Sequence, residues 1–128
     1  MADGLTEAIL DGWLNTLKGT AYTAVSADTI QLHTGTPGSA GTSNVSVGDN
    51  TKKAATFTTS TARSLALTSS VGPWTNGGTS ETITNISLWH TTGTVFCGSI
   101  TLTVSKAWAS GDTLTLNSCT VTLSPLAS

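Results

Sequence analysis

Near the start of the chain, Leu5, Ile9, Leu10, Trp13, Leu14 and Leu17 recur at spacings of about three and four, which places them on one helical face. This spacing predicts a helix over Leu5–Leu17. Asp3 or Thr6 is positioned to cap its start. Glu7 and Lys18 match the helix dipole at the two ends, and Gly19 is a natural stop. Gly12 costs about 1 kcal/mol relative to alanine inside a helix, so the helix needs a packing partner there.

After Gly19 the period changes from helical to alternating. Strands are expected at Thr29–Thr34, Ala54–Ser60, Ser64–Ser70, Glu81–Thr91, Thr94–Leu102, Thr113–Asn117 and Thr120–Ser124, with a weaker one at Ala21–Val25. Leu114 and Leu116 alternate with threonines, as do Val121 and Leu123, the mark of sheets with one packed and one wet face. The alternation slips between Ile83 and Ile86, which signals a bulge or a change of face. Asn76-Gly77-Gly78, Thr92-Gly93 and Ser110-Gly111-Asp112 supply turns between strands. Asp112 is placed to bond nearby backbone. Gly35 to Gly48 is the longest irregular stretch, and a loop of that length is usually functional or docked on a neighbour. About eight short strands behind one helix predict a mainly β fold, an antiparallel β-sandwich or jelly roll with an N-terminal amphipathic helix. One domain fills residues 1–128, the helix in 1–19 and the sandwich in 20–128.

Composition narrows the function. Charged residues make up 9% of the 128, against roughly 25% in an average soluble domain. The net charge is -2 and 38% of residues are hydrophobic, unlike a disordered chain. Serine and threonine, roughly a third of the sequence, favour pleated, half-buried surfaces. The five basic residues, Lys18, Lys52, Lys53, Arg63 and Lys106, are scattered, so no patch suits nucleic acid. No apolar run reaches the roughly 18 residues of a membrane span. Met1 to Thr6 lacks the features of a signal peptide. Folding is therefore expected in a reducing cytoplasm, with Cys97 and Cys119 as free thiols.

Catalytic chemistry finds little support. His33 and His90 have no acid at metal-motif spacing, and together with Cys97 and Cys119 they fit no zinc pattern. Neither a Gly-x-Ser-x-Gly turn nor a Walker loop is present. The sequence predicts no enzyme, no metal and no cofactor. His33 reads as a hydrogen-bonded residue beside a turn, and His90 as a residue of the polar face.

Leu32-His33-Thr34-Gly35-Thr36-Pro37-Gly38 followed by Gly41-Thr42-Ser43-Asn44 resembles a signature of small phage virion proteins. The pattern continues in Ala54-Ala55-Thr56-Phe57, Ile83-Thr84-Asn85-Ile86-Ser87-Leu88-Trp89, and Leu102-Thr103-Val104-Ser105-Lys106 through Ser110-Gly111-Asp112-Thr113-Leu114. Members are often labelled phage tail fibre protein, and others look like capsid decoration proteins. The likeness runs from about Leu5 to Leu123 and rests on motif order. Thr36 and Val45 stand where the family often has acidic residues. The resemblance implies a non-enzymatic part of the virion, assembled in the host cytoplasm.

Within that class the expected function is a decoration or minor capsid protein on the outside of the shell, partnered by the major capsid protein or other virion proteins. The alternatives are a tail-fibre or tail-tip component for host attachment, and a carbohydrate-binding adhesion module. The absence of heptads and repeats argues against a complete fibre shaft. A closed homo-oligomer is expected, with a trimer favoured. Trp13, Leu17, Trp74, Trp108, Thr36 and Pro37 are the interface candidates, since tryptophan is enriched at the energetic centre of interfaces. Trp13 and Trp89 also suit the core. The helix is expected either to cover the chain's own sheet or to anchor it to a neighbour.

Overall fold

The structure is a computed structural model that describes residues 3–90 and 95–123. The helix, α1, runs Glu7–Leu17. It starts later than expected because Gly4–Leu5 forms a short strand, β1, paired with Ser99 and Gly98. A Cβ at Gly98 would come within 2.4 Å of the Gly4 carbonyl oxygen, so only glycine admits β1 there.

Thr6 occupies the N-cap position, but its side chain makes no capping bond and its Oγ1 is buried without a partner. Asp3 ties the N-terminus to the sheet. Its carboxylate accepts from Thr101 N at 3.0 Å, Asn85 Nδ2 and Ser99 Oγ at 3.3 Å, and the Thr101 hydroxyl. The partner required by Gly12 is Tyr22, whose Cε2 would lie 2.3 Å from an added Cβ. Gly19 ends the helix region with φ +87.

Eight further strands follow: β2 Thr29–His33, β3 Lys53–Ala54, β4 Ser64–Ala66, β5 Val71–Thr75, β6 Glu81–His90, β7 Val95–Trp108, β8 Thr113–Leu116 and β9 Thr120–Thr122. The protein is mainly β and antiparallel with one N-terminal helix, and the strands number nine among the described residues. β1-β7-β6-β2-β3 form one sheet, and β4-β9 and β5-β8 form two ribbons. The strands outside the large sheet thus form two separate pairs instead of one continuous sheet.

Several expectations change. Val71–Thr75 is a strand despite Gly72-Pro73, with the register shifting between Val71 and Trp74. The Gly72-Pro73 bond is cis. Ala21–Val25 forms no strand, and the predicted strand at Ala54–Ser60 keeps only Lys53–Ala54 and a lone Phe57↔Leu67 bridge. β7 extends six residues beyond the predicted end, to Trp108. The turn at Thr92-Gly93 lies outside the described residues. The slip near Ile83 does mark a bulge. Ile83 pairs with Lys106 but Asn85 with Thr101, so four residues of β7, Leu102–Ser105, stand against Thr84 alone.

The two faces of the large sheet differ in chemistry. Ile30 lies opposite Leu88, and Leu32 opposite Ile86. These residues join Ile83, Val71, Trp74, Leu114 and Trp108 in the core. The other face carries Thr29 opposite Trp89, Gln31 opposite Ser87 and His33 opposite Asn85. Every residue of β2 is buried, so both faces of that strand are covered.

Candidate protein-interaction surface

The polar face is sealed by the chain's own long loop. Ser46 N donates to Leu32 O at 3.0 Å, Thr34 N to Asn44 O at 2.8 Å, and Gln31 Nε2 to Asn50 O at 2.6 Å. His33 sits at the centre, fully buried. Its Nδ1 meets Ser43 O at 2.8 Å and its Nε2 meets Ser87 Oγ at 2.7 Å. A carbonyl can only accept, so Nδ1 carries the proton and Nε2 accepts from Ser87. Ser87 Oγ in turn accepts from Trp89 Nε1 at 2.7 Å. Burial holds the His33 pKa below its ordinary value, against the raising effect of the Ser43 carbonyl and with help from the Lys52 charge. The serine–histidine contact has the form of a nucleophile and base. It is enclosed, however, and Nδ1 is oriented by a carbonyl where a catalytic arrangement would use an acid.

Two carboxylates pin the same loop. Ser46 Oγ, Val47 N, Gly48 N and Trp108 Nε1 all donate to Glu81. Burial pushes the Glu81 carboxyl up, but those four bonds outweigh it and hold the pKa below the usual range. Asp49 behaves alike: Thr51 N, Thr51 Oγ1 and Thr75 N donate to it, and they overcome the upward push of burial. Asn76 is buried and bonds Thr79 O, Trp108 O and Gly78 N. Asp112 accepts from Ala109 N at 2.9 Å, the expected local turn bond.

The interface candidates therefore separate. Trp74 and Trp108 are 0% and 2% exposed. Their indole N–H groups donate to Thr51 O and Glu81 Oε1, so both are core and not interface residues. Each lies on a strand, β5 or β7, and joins the core cluster. Pro37 is also buried, and its carbonyl accepts from Ser43 N. Thr36 is half-buried, and its carbonyl accepts from Asn44 Nδ2. Trp89 is core, stacked at a tilt on Phe96, with Lys52 Nζ 3.4 Å from its ring centre. Of the six candidates, Trp13 and Leu17 are the exposed ones.

Those two belong to an apolar face that the chain leaves open. Of the residues of α1 only Ile9 is buried. Trp13 is 39% exposed, Leu14 62% and Leu17 85%, and Leu10 is exposed too. Beside the helix runs a groove of about 700 Å³. Ile9 and Trp13 of the helix line it together with Phe57, Leu65, Leu88 and Cys97. Arg63 stands on its lining and has no ion-pair partner among the described residues. It is held there by a two-residue turn, in which Ala62 and Arg63 both have positive φ and Thr61 and Ser64 exchange backbone bonds at 3.1 Å. Left-handed dihedrals at two non-glycine residues are costly, which marks the placement of Arg63 as built. The sequence showed the helix stripe, but not that the sheet would leave it uncovered.

Other chemistries find no support in this geometry. Among the described residues no three His, Cys, Asp or Glu side chains are grouped to hold a metal. Cys97 and Cys119 are unbridged and buried, and burial raises both thiol pKa values. His90 rests on Asp28 and Ser26. Among the described residues no helix is long and apolar enough to cross a membrane. Exposed aromatics in a row, as a glycan platform needs, do not occur among the described residues.

No match was found among the curated proteins. A match does extend over residues 1–124, nearly the whole chain, to the family described as Podophage GP4 fiber I protein gp80. With its β-rich body, its sealed polar face and its exposed apolar helix, the chain belongs to this family of phage fibre proteins.

Proposed function

We propose that this protein is a non-enzymatic structural subunit of a podophage tail fibre, acting as a compact assembly module. The observation that carries the reading is the uncovered apolar face of α1 beside the groove. Large contiguous apolar patches are rare on monomers and mark surfaces that meet other proteins. The fibre description of the family favours the tail over the capsid-decoration reading, and nothing in the geometry speaks for a shell position. The chain has neither heptads nor repeats, so its part in a fibre is a globular unit at a base, joint or tip. Its partners are other virion proteins and further copies of itself, in a closed oligomer for which a trimer suits fibre symmetry.

Gold-labelled antibody against the chain, applied to intact particles, tests the location. Label is expected on the tail. Label over the shell would restore the capsid reading, and particles without the protein would end both.

A further inference from the structure

We propose that the exposed leucine ridge of α1 in one copy of the chain seats in the apolar groove of a second copy; this rests on the reading of the protein as an assembly subunit.

Three observations identify the occupant as a second copy. The first is shape. At about 100° per residue, Ile9, Trp13, Leu17, Leu10 and Leu14 sweep a stripe about 140° wide around the helix. The stripe begins inside the groove at Ile9 and Trp13 and ends outside it at Leu14. A convex apolar ridge and a concave apolar groove therefore adjoin on one face, and each is the complement the other lacks.

The second is area. The ridge and groove walls together offer an apolar surface on the order of several hundred Å². A stable interface takes roughly 800 Å² from each partner, and the exposed Leu10, Leu14 and Leu17 add to the groove walls toward it. Contact between equivalent faces covers ridge and groove at once, whereas a partner that merely filled the groove would leave Leu14 and Leu17 in water.

Charge is the third. The whole chain has only twelve charged residues, five basic and seven acidic. The groove lining holds two charged residues, Asp28, which is paired with His90, and Arg63, which has no ion-pair partner among the described residues. Glu7 and Asp11 fall on the polar side of α1, with Glu7 next to Leu14 around the helix. Neither acid has an ion-pair partner among the described residues. When the ridge of one copy enters the groove of another, its acidic border approaches the partner copy's arginine. Opposite charges at the rim set register and reject wrong partners.

The test is sedimentation of the full chain over a concentration series, with circular dichroism as a fold check. The wild type is expected to form a discrete oligomer. A Leu14→Asp, Leu17→Asp double variant is expected to be monomeric with an unchanged spectrum. Arg63→Glu is expected to weaken association about tenfold, and Asp11→Lys added to it to restore most of the loss, as rim charge pairs do. Rescue by the reversed pair requires that both residues meet across a contact between copies.

A wild type that stays monomeric overturns the proposal. So does a Leu14→Asp, Leu17→Asp variant that still assembles, or a reversal that fails to rescue. A monomeric protein that is nevertheless found in tails would sink this contact and leave the fibre reading intact. An oligomer missing from particles would keep the contact and sink the fibre reading.

Discussion

The two faces of the central sheet are finished to different degrees. On the polar face, His33, Ser87, Trp89, Gln31 and the 34–50 loop form a hydrogen-bonded seal. On the apolar face, residues of β5 and β8 join the core, but α1 contributes one buried residue and leaves its leucines in water. Buried polar groups must be paired within the chain, because an orphaned donor or acceptor costs more than the bond returns. Exposed apolar groups carry no such demand and can wait for a partner. The difference teaches that the unusually low charge of the chain does two jobs: neutral polar residues build an interior network on one side, and apolar ones build a contact surface on the other.

The core that both faces share should break first. Trp74→Ala is expected to cost about 3–5 kcal/mol in denaturant unfolding, the range for a large aromatic removed from a packed interior. Trp108→Ala should match or exceed it, because it strips a donor from the Glu81 carboxylate, whereas Trp74→Ala strips one from the neutral Thr51 carbonyl. A loss below 1 kcal/mol at either position would mean that these indoles are not core.

The polar seal should break next. His33→Ala removes the partner of Ser87 and of the Ser43 carbonyl and is expected to cost about 1–3 kcal/mol per group left unpaired. The same histidine gives the seal a pH dependence. Its folded pKa is depressed, so the unfolded chain takes up the proton first as pH falls. Stability should be full above about 6.5, the ordinary histidine value, and decline as pH drops toward the folded value. Glu81 and Asp49 are depressed as well. Their contribution should persist through this window and be lost at lower pH, as the medium falls through the carboxylate range. Thermal melts of wild type and His33→Gln between neutral pH and the carboxylate range check both parts. The variant should lose the decline nearer neutrality and keep the acid one.

On the open face the effect on folding should be the smallest. Leu17→Ser is expected to change stability by no more than about 0.5 kcal/mol, because 85% of the residue is already exposed. A loss several times larger in the isolated chain would mean that the helix face is covered within the monomer. Thiol titration adds a check on the groove floor: Cys97 should react slowly in folded protein and fully under denaturant, without reductant.

Local pattern carried the helix and the strands that alternate cleanly. β2, β6, β8 and β9 fall where period two predicts them, and Gly12 and the slip near Ile83 had their stated consequences. β5 stayed hidden because Gly72-Pro73 reads locally as a turn, while its strand pairing comes from β8, some 40 residues later in the chain. The candidate surface was half legible for the same reason. A tryptophan's spacing does not tell which distant strand will cover it, so Trp74 and Trp108 looked available, and Trp13 looked suited to the core. The bonds that seal the polar face join residues such as Ser46 and Glu81, 35 apart, and no local period encodes them.

The measurement that tests the account most directly is a density map of the intact particle at side-chain detail. The account predicts copies of this chain within the tail fibre, with Leu10, Leu14 and Leu17 of each buried against another subunit and the 34–50 loop turned inward on its own sheet. Copies found on the shell, or copies in the fibre whose α1 leucines face solvent, would contradict it.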